Sequence, residues 1–92
     1  MYARMVIGDE VDVDAFSNIY HAEILPQLER ATGFRSAHLM IEDGGRMAIS
    51  LTLWNSRDDC LQYHSSLAYR KFVEKAHHLL KGQLVVKLFE TV

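Results

Sequence analysis

The segment that most constrains the fold runs from residue 49 to residue 59, because two kinds of periodicity meet in it. Aliphatic residues alternate with serine, threonine and tryptophan over residues 49–54, and this period of two predicts a strand with two different faces. Ser56 then stands three residues before Asp59, the spacing at which a hydroxyl and a carboxylate cap a helix start reciprocally. The segment therefore predicts a strand that ends at Trp54 and leads at once into a capped helix.

The size and charge of the chain exclude several classes of protein. A chain of 92 residues is expected to form one domain, residues 1–92, and its hydrophobic content of 49% suggests an apolar surface kept for a partner. The net charge is -2 and the basic residues are scattered, so no nucleic-acid partner is expected. No apolar run approaches the roughly 20 residues that span a bilayer, so no membrane partner is expected either. The single cysteine suits a reducing compartment, and we expect a cytoplasmic protein.

The predicted elements follow the order β-α-β-β-α-β, which indicates an α+β, ferredoxin-like subunit with a four-stranded antiparallel sheet. Asp12 or Asp14 can cap the first helix, which is expected to end near Gly33. Pro26 is expected to kink or break that helix because proline lacks the backbone amide. The predicted strands are residues 2–7, 34–41, 46–54 and 84–89, and the second helical region is residues 57–64 and 67–80, with a joint at Ser65 and Ser66.

Alternation within the strands assigns their side chains to two faces. We expect the more apolar set to meet the helices, and it consists of Ala3, Met5, Ile7, Ala37, Leu39, Ile41, Met47, Ile49, Leu51 and Leu53. The other set is mixed and consists of Tyr2, Arg4, Val6, Phe34, Ser36, His38, Met40, Ser50, Thr52 and Trp54. This mixed face is too apolar to remain in water, so we expect it to pair with a second copy in a two-fold homodimer.

Four features of the chain carry a family resemblance. They are the sequences Ile-Leu-Pro at 24–26, Thr-Gly-Phe at 32–34 and Leu-Trp-Asn-Ser-Arg-Asp at 53–58, and the spacing of Tyr63, Ser66, Tyr69 and Phe72. With them the chain resembles the antibiotic biosynthesis monooxygenase-like family of dimeric α+β barrels. The resemblance implies a dimer of ferredoxin-like subunits, each with a pocket between its sheet and its helices. In the cofactor-free branch, the anion of a phenol or quinol reduces dioxygen directly in an apolar, water-excluding cavity, and no metal or cofactor is implied.

The haem-degrading branch of this family matches the chain less well. That branch implies an asparagine in the first strand and a haem-ligating histidine in the helix after the third strand. The first strand here has no asparagine, and the expected histidine position falls near Val73. His77 and His78 lie one turn too late, so the resemblance favours the cofactor-free branch.

Five residues are candidates for a site in such a pocket. His64 is the leading catalytic base, because the pKa of histidine lies within the physiological range, and Tyr63 is expected to anchor a substrate oxygen. Trp54, Phe72 and Tyr20 are expected to line the substrate pocket. Structural roles remain open for the first three, as a helix-end histidine, a half-buried tyrosine and a tryptophan that packs at the strand-to-helix corner.

His38 and Arg4 complete the set of pocket candidates. His38 is either a base in a cavity or a hydrogen-bonded interface residue, and Arg4 pairs either with an anionic ligand or with a carboxylate across the dimer. The histidines do not predict a metal site, because the adjacent His77 and His78 diverge on a helix and no His-x3-His pair exists. Cys60 lies in the first turn of a capped helix, where the dipole can lower its pKa, but a semi-buried structural thiol is favoured.

The sequence supports two functional hypotheses of different classes. The first is a cofactor-independent monooxygenase that oxidises a small phenolic or quinol-like aromatic with dioxygen. The second is a non-catalytic dimeric barrel that binds a small hydrophobic ligand or acts as an assembly module. No clear acid–base pair decides between them.

Overall fold

The structure, a computed structural model, describes all 92 residues and consists of one antiparallel sheet with helices on one face. The strands are β1 (Tyr2–Gly8), β2 (Phe34–Ile41), β3 (Ala48–Trp54) and β4 (Leu84–Glu90), arranged in the order β2-β3-β1-β4. The helices are α1 (Val13–Ile19), α2 (Leu25–Arg30), α3 (Arg57–His64) and α4 (Leu67–Ala76). The predicted ferredoxin-like α+β fold is confirmed. None of the helices is long and apolar enough to cross a membrane.

Helix starts follow the local capping chemistry of the sequence. Asp12 caps α1 through Oδ1, which accepts a hydrogen bond from the Ala15 amide at 3.2 Å. Ser56 caps α3 in the same way, with its Oγ 3.2 Å from the Asp59 amide, and Ser66 caps α4. Two of the predicted elements are too long. The third strand begins at residue 48 and not at 46, and the helix predicted over 67–80 ends at Ala76, where the chain tightens into a 3₁₀ turn (His77–Leu79).

The expected break at Pro26 takes the form of a π-helical turn. This turn (Tyr20–Ile24) joins α1 to α2 without interrupting the helical path, and the Leu25 amide donates to the Tyr20 carbonyl five residues earlier. Proline has no amide to donate, so a wide turn just before it lets the chain remain helical. Both ends of the turn, Tyr20 and Ile24, are buried in the core.

The predicted assignment of strand faces is wrong for β1 and β3. Arg4 pairs with Thr52 and Val6 pairs with Ser50, and these four side chains line a cavity under the helices. The open face instead carries Ala3, Met5, Ile7, Ile49, Leu51 and Leu53. Both faces are rich in apolar residues, so strand alternation separates them without showing which one the helices cover.

The assignment within β2 is correct except at Phe34. Ala37 and Leu39 pack against the helix-side core, as expected. A β-bulge between Phe34 and Ser36 shifts the register, so Phe34 also turns to the helix side and contacts Trp54. The core therefore lies between the sheet and α1–α3, around Tyr20, Ile24, Leu28, Trp54, Cys60 and Tyr63.

Candidate functional site

A cavity of about 50 Å³ lies between the sheet and the helices. Strands β1 and β3 form its floor, and its walls are formed by α4 and by the continuous helical segment of α1, the π-helical turn and α2. Twelve of its fifteen lining residues are hydrophobic, and no aspartate or glutamate is among them. The wall includes Phe16, Tyr20, Ile24, Tyr63, Tyr69 and Phe72, and the polar residues are Arg4, Ser50 and Thr52. The cavity is therefore apolar and rich in aromatic side chains, with Arg4, Ser50 and Thr52 on the sheet side and tyrosine side chains on the helix side.

Arg4 is the charged group of this cavity, and only 3% of its surface is exposed. Its Nε donates a hydrogen bond to His64 Nδ1 at 3.1 Å, and its guanidinium carbon lies 4.4 Å from the centre of the Tyr69 ring. The chain contains a single ion pair, Lys75 with Glu23, so Arg4 has no carboxylate partner. Its Nη2 atom is buried and has no hydrogen-bond partner.

The contacts of Arg4 compensate only part of the cost of burying its charge. Burial of an ion costs several kcal/mol after relaxation. A desolvated cation–π contact contributes about 2 kcal/mol, and one hydrogen bond to a charged group contributes about 1.5–3 kcal/mol. Neither contact satisfies the Nη2 donor. Arg4 therefore keeps an unsatisfied, charged donor inside the fold.

His64 holds Arg4 and does not line the cavity. Burial, followed by the nearby Arg4 charge, lowers the pKa of His64 below its ordinary value of 6.5, so the imidazole is neutral at neutral pH. Its Nδ1 lone pair already accepts from Arg4, which leaves the proton on Nε2. His64 therefore contacts Arg4 instead of the cavity, and its role as the base stays a prediction.

Tyr63, rather than His64, faces the cavity from α3. Burial raises the pKa of Tyr63 to about 12, with a smaller opposing effect from Arg4. The phenol is therefore protonated at neutral pH and can donate a hydrogen bond but cannot accept a proton. Its ring centre lies 5.3 Å from that of Trp54 and 5.6 Å from that of Tyr69.

Trp54 is fully buried behind this aromatic layer and does not line the cavity. Its Nε1 donates to Thr52 Oγ1 at 2.9 Å, so the indole NH is not free for a ligand. Thr52 Oγ1 in turn donates to the Arg4 carbonyl at 3.4 Å. The structure places Trp54 as a packing residue that supports Tyr63 and, through Thr52, the strand carrying Arg4.

Tyr20 and Phe72 line the cavity, whereas His38 does not. The Tyr20 hydroxyl is buried without a hydrogen-bond partner, although Ser50 lies beside it. Burial raises the pKa of Tyr20, and the nearby Ser50 side chain offsets part of that rise. The two hydroxyl groups are nevertheless not aligned for a hydrogen bond. His38 is exposed on the opposite face of the sheet, where it pairs with Leu51.

Sequence analysis missed Phe16, Ser50, Thr52 and Tyr69 as members of the site. The sequence did contain a signal for Ser50 and Thr52, because they lie four and two residues before Trp54 and therefore share its face of β3. Cys60 is fully buried, and burial raises the pKa of its thiol, so the suggested dipole-lowered pKa is not observed. No group of three or more histidine, cysteine, aspartate or glutamate side chains is placed to hold a metal ion.

No family model matches the chain, and the comparison with curated proteins finds no match. Solved structures match it along nearly its whole length. A monooxygenase from the gene ActVA-Orf6 of Streptomyces coelicolor, in complex with the ligand nanaomycin D, has a TM-score of 0.86 at 14% identity and covers 99% of this chain and 87% of that one. A variant of SnoaB, a cofactor-independent oxygenase from Streptomyces nogalater, has a TM-score of 0.82 at 14% identity over 98% of this chain and 92% of that one.

A third structure, an antibiotic biosynthesis monooxygenase, has a TM-score of 0.79 at 12% identity over 100% of this chain and 99% of that one. The chain thus has the fold of the antibiotic biosynthesis monooxygenases, and the predicted resemblance is confirmed at the level of the fold. At these identities, the likeness establishes the fold and not the activity.

Proposed function

We propose that the protein is a cofactor-independent monooxygenase that oxidises a small phenolic or quinol-like aromatic in the cavity around Arg4. The observation that carries this proposal is a buried guanidinium without a carboxylate partner in an otherwise apolar, aromatic-lined cavity. A cation in a low-dielectric site stabilises the phenolate over the phenol and so makes the bound substrate electron-rich. Two structural neighbours described as a monooxygenase and a cofactor-independent oxygenase agree with this assignment.

The proposed reaction balances without an external reductant. The bound phenolate transfers one electron to dioxygen, and recombination of the two radicals forms a carbon–oxygen bond to a ring carbon that carries a hydrogen. The peroxide anion formed in this step takes up a proton from water and becomes a hydroperoxide. The resulting hydroperoxide loses water and leaves a quinone carbonyl, so one oxygen atom enters the product and the other leaves as water. The chain's own residues bind the anion through Arg4, hold that side chain through His64 and exclude water with the wall of Phe16, Tyr63 and Phe72.

The cavity must open for an aromatic ring to bind. Its volume of about 50 Å³ is well below the roughly 150 Å³ of an engineered apolar cavity that holds benzene. Trp54 and Tyr63 are buried, whereas Tyr69 and Phe72 on α4 are only half-buried. We infer that α4 moves outward to admit the substrate and closes over it.

A non-catalytic binding module is the second candidate, and a specific observation favours it. The cavity has no free base, because no carboxylate or histidine lines it, the Nδ1 lone pair of the adjacent His64 is occupied, and Tyr63 is protonated. A protein that only captures an aromatic anion needs no such base. The two candidates share one site and differ in whether dioxygen is consumed.

We also propose that the protein is a homodimer that pairs through the open face of the sheet. Leu51 lies near the middle of this face, and Met40, Val85 and Phe89 are more than one-third exposed on it. The corrected face assignment strengthens the proposal, because the open face of β1 and β3 is the more apolar one. Face-to-face pairing of two copies would remove this surface from water.

Oxygen uptake tests the enzymatic proposal. The purified protein is incubated in mildly alkaline buffer, in which part of each phenol is ionised, with a chelator and a panel of hydroquinones, naphthols and anthrones, and the rate is compared with that of the Arg4→Met variant. Arg70→Met is the matched control, because Arg70 is exposed on α4. We expect uptake by the wild type and by Arg70→Met that Arg4→Met loses. Uptake that is equal in Arg4→Met would contradict the proposed site, and no uptake on any substrate would favour the binding module.

A further inference from the structure

Two polar groups in the cavity have no partner in the protein. They are Arg4 Nη2 on the sheet side and the Tyr20 hydroxyl on the helix side, and each belongs to a residue with 3% exposure. Both can donate a hydrogen bond, and an unsatisfied buried donor costs about 1–3 kcal/mol. Because both residues line one apolar cavity, a single ligand can satisfy both donors if it carries an oxygen with several lone pairs.

The charge and proton inventory of the cavity limits the form in which that ligand arrives. A neutral phenol would have to lose a proton to form an ion pair with Arg4. His64 has its Nδ1 lone pair committed to Arg4, and Tyr63 faces the cavity as a protonated phenol. No carboxylate lines the cavity to take the proton. A ligand that is already an anion in water meets none of these difficulties.

We propose that the site takes small aromatic molecules that are ionised before they bind, as carboxylates or as acidic phenols, and that Arg4 and Tyr20 together bind the anionic oxygen. Arg4 provides the charge and Tyr20 a second, neutral donor from the opposite wall. Phe16 and Phe72, whose ring centres are 6.0 Å apart, contact the hydrocarbon part. This inference rests on the proposed function for the location of the site, but it requires no reaction with dioxygen.

Calorimetric titration with matched probes tests the inference. The anions are benzoate and 4-nitrophenolate in mildly alkaline buffer, and the neutral analogues are benzamide and phenol. Wild type, Arg4→Met, Tyr20→Phe and the Arg70→Met control are titrated after circular dichroism has shown that each is folded. The two anions separate the two ligand sources, because binding of benzoate alone indicates a carboxylate and binding of 4-nitrophenolate alone indicates an acidic phenol.

The expected result is tight binding of at least one anion to wild type and to Arg70→Met, and weak binding of both neutral analogues. Arg4→Met should weaken anion binding by about 10- to 100-fold and Tyr20→Phe by about 3- to 10-fold. Equal affinity for benzoate and benzamide, and for 4-nitrophenolate and phenol, would overturn the inference, as would unchanged anion affinity in Arg4→Met. If Arg4→Met does not fold, an unchanged anion affinity in Tyr20→Phe overturns it instead.

Failure of this inference and failure of the proposed function give different results. Oxygen uptake on neutral phenols, without any preference for anions, would overturn the inference and leave the monooxygenase in place. Anion-selective binding that Arg4→Met loses, without uptake on any substrate, would support the inference and contradict the monooxygenase.

Discussion

Arg4 Nε lies 3.1 Å from His64 Nδ1, and this hydrogen bond joins the middle of β1 to the last residue of α3. The bond fixes the orientation of a buried guanidinium whose Nη2 has no partner. It also sets the tautomer of the imidazole, because an Nδ1 that accepts leaves the proton on Nε2. We propose that the pair is an anion-binding group, in which a neutral histidine holds the guanidinium in place.

Replacement of Arg4 by methionine should make the ligand-free protein more stable while it removes function. A buried charge without an anionic partner is costly, and we expect its replacement by an apolar side chain of similar length to stabilise the fold by up to about 4 kcal/mol, as replacement of buried ion pairs does in favourable cases. Urea unfolding of wild type and Arg4→Met measures the difference. If Arg4 is instead a structural residue, the variant will unfold at a lower urea concentration than wild type.

The stability of the protein should fall as the pH drops below 6.5, and part of this fall should belong to His64. The pKa of His64 is lowered in the fold, so below 6.5 the unfolded state binds a proton that the folded state does not, and stability declines until the folded-state pKa is passed. In His64→Asn, Oδ1 can still accept from Arg4 but does not titrate. Urea midpoints measured from mildly alkaline to mildly acidic pH should show a shallower decline in this variant, and an identical decline would contradict the assignment.

Phenol ionisation should identify Tyr63 as a late-titrating tyrosine. Burial raises its pKa to about 12, so its ionisation step should lie well above the ordinary tyrosine value of about 10. Absorbance of tyrosinate is followed against pH in wild type and Tyr63→Phe, with circular dichroism to show the range in which the fold persists. The difference curve should rise near 12, and a step near 10 would show that Tyr63 is not buried as described.

Gly33 should be far less tolerant of a side chain than Gly44. Both have positive φ, 77° and 71°, but a Cβ on Gly33 would overlap the Asp59 side chain, whereas one on Gly44 would meet nothing within 4 Å. Both alanine variants carry the backbone strain of about 1–2 kcal/mol, and only Gly33→Ala adds a clash. Thermal unfolding should rank Gly33→Ala below Gly44→Ala, and equal losses would contradict the close approach of α3 to residue 33.

A charge on the open sheet face should separate the proposed dimer into monomers. Leu51 pairs with Met5 and His38 near the middle of that face, so Leu51→Lys would place two charges in the interface. Leu67→Lys is the control, because Leu67 is exposed on the helix side of the molecule. Sedimentation at micromolar concentration should give dimers for wild type and Leu67→Lys and monomers for Leu51→Lys. A monomeric wild type would contradict the dimer.

The local parts of the fold could be predicted from sequence because their causes lie within a few residues. The caps at Asp12 and Ser56 require only a side-chain oxygen at the right spacing, and both form. The disturbance at Pro26 follows from one missing amide, although its form as a π-helical turn depends on how α1 and α2 pack. The order of the strands follows from the ferredoxin-like pattern.

The site could be predicted only in part, because its geometry depends on tertiary contacts. Tyr20, Tyr63 and Phe72 line the cavity, and Arg4 lines it although its strand was assigned the wrong face. The choice of face depends on which apolar surface the helices cover, and both surfaces of this sheet are apolar. The role of His64 depends on a partner 60 residues away, which no local pattern indicates.

Labelled dioxygen tests the central claim most directly. Wild type, Arg4→Met and Arg70→Met are supplied with ¹⁸O₂, a chelator and the best substrate of the uptake panel, and the product is analysed by mass spectrometry. The account predicts one ¹⁸O atom per product molecule and one in water for wild type and Arg70→Met, and no product above the protein-free rate for Arg4→Met. Product that forms equally fast in Arg4→Met, or that carries only oxygen from water, would contradict it.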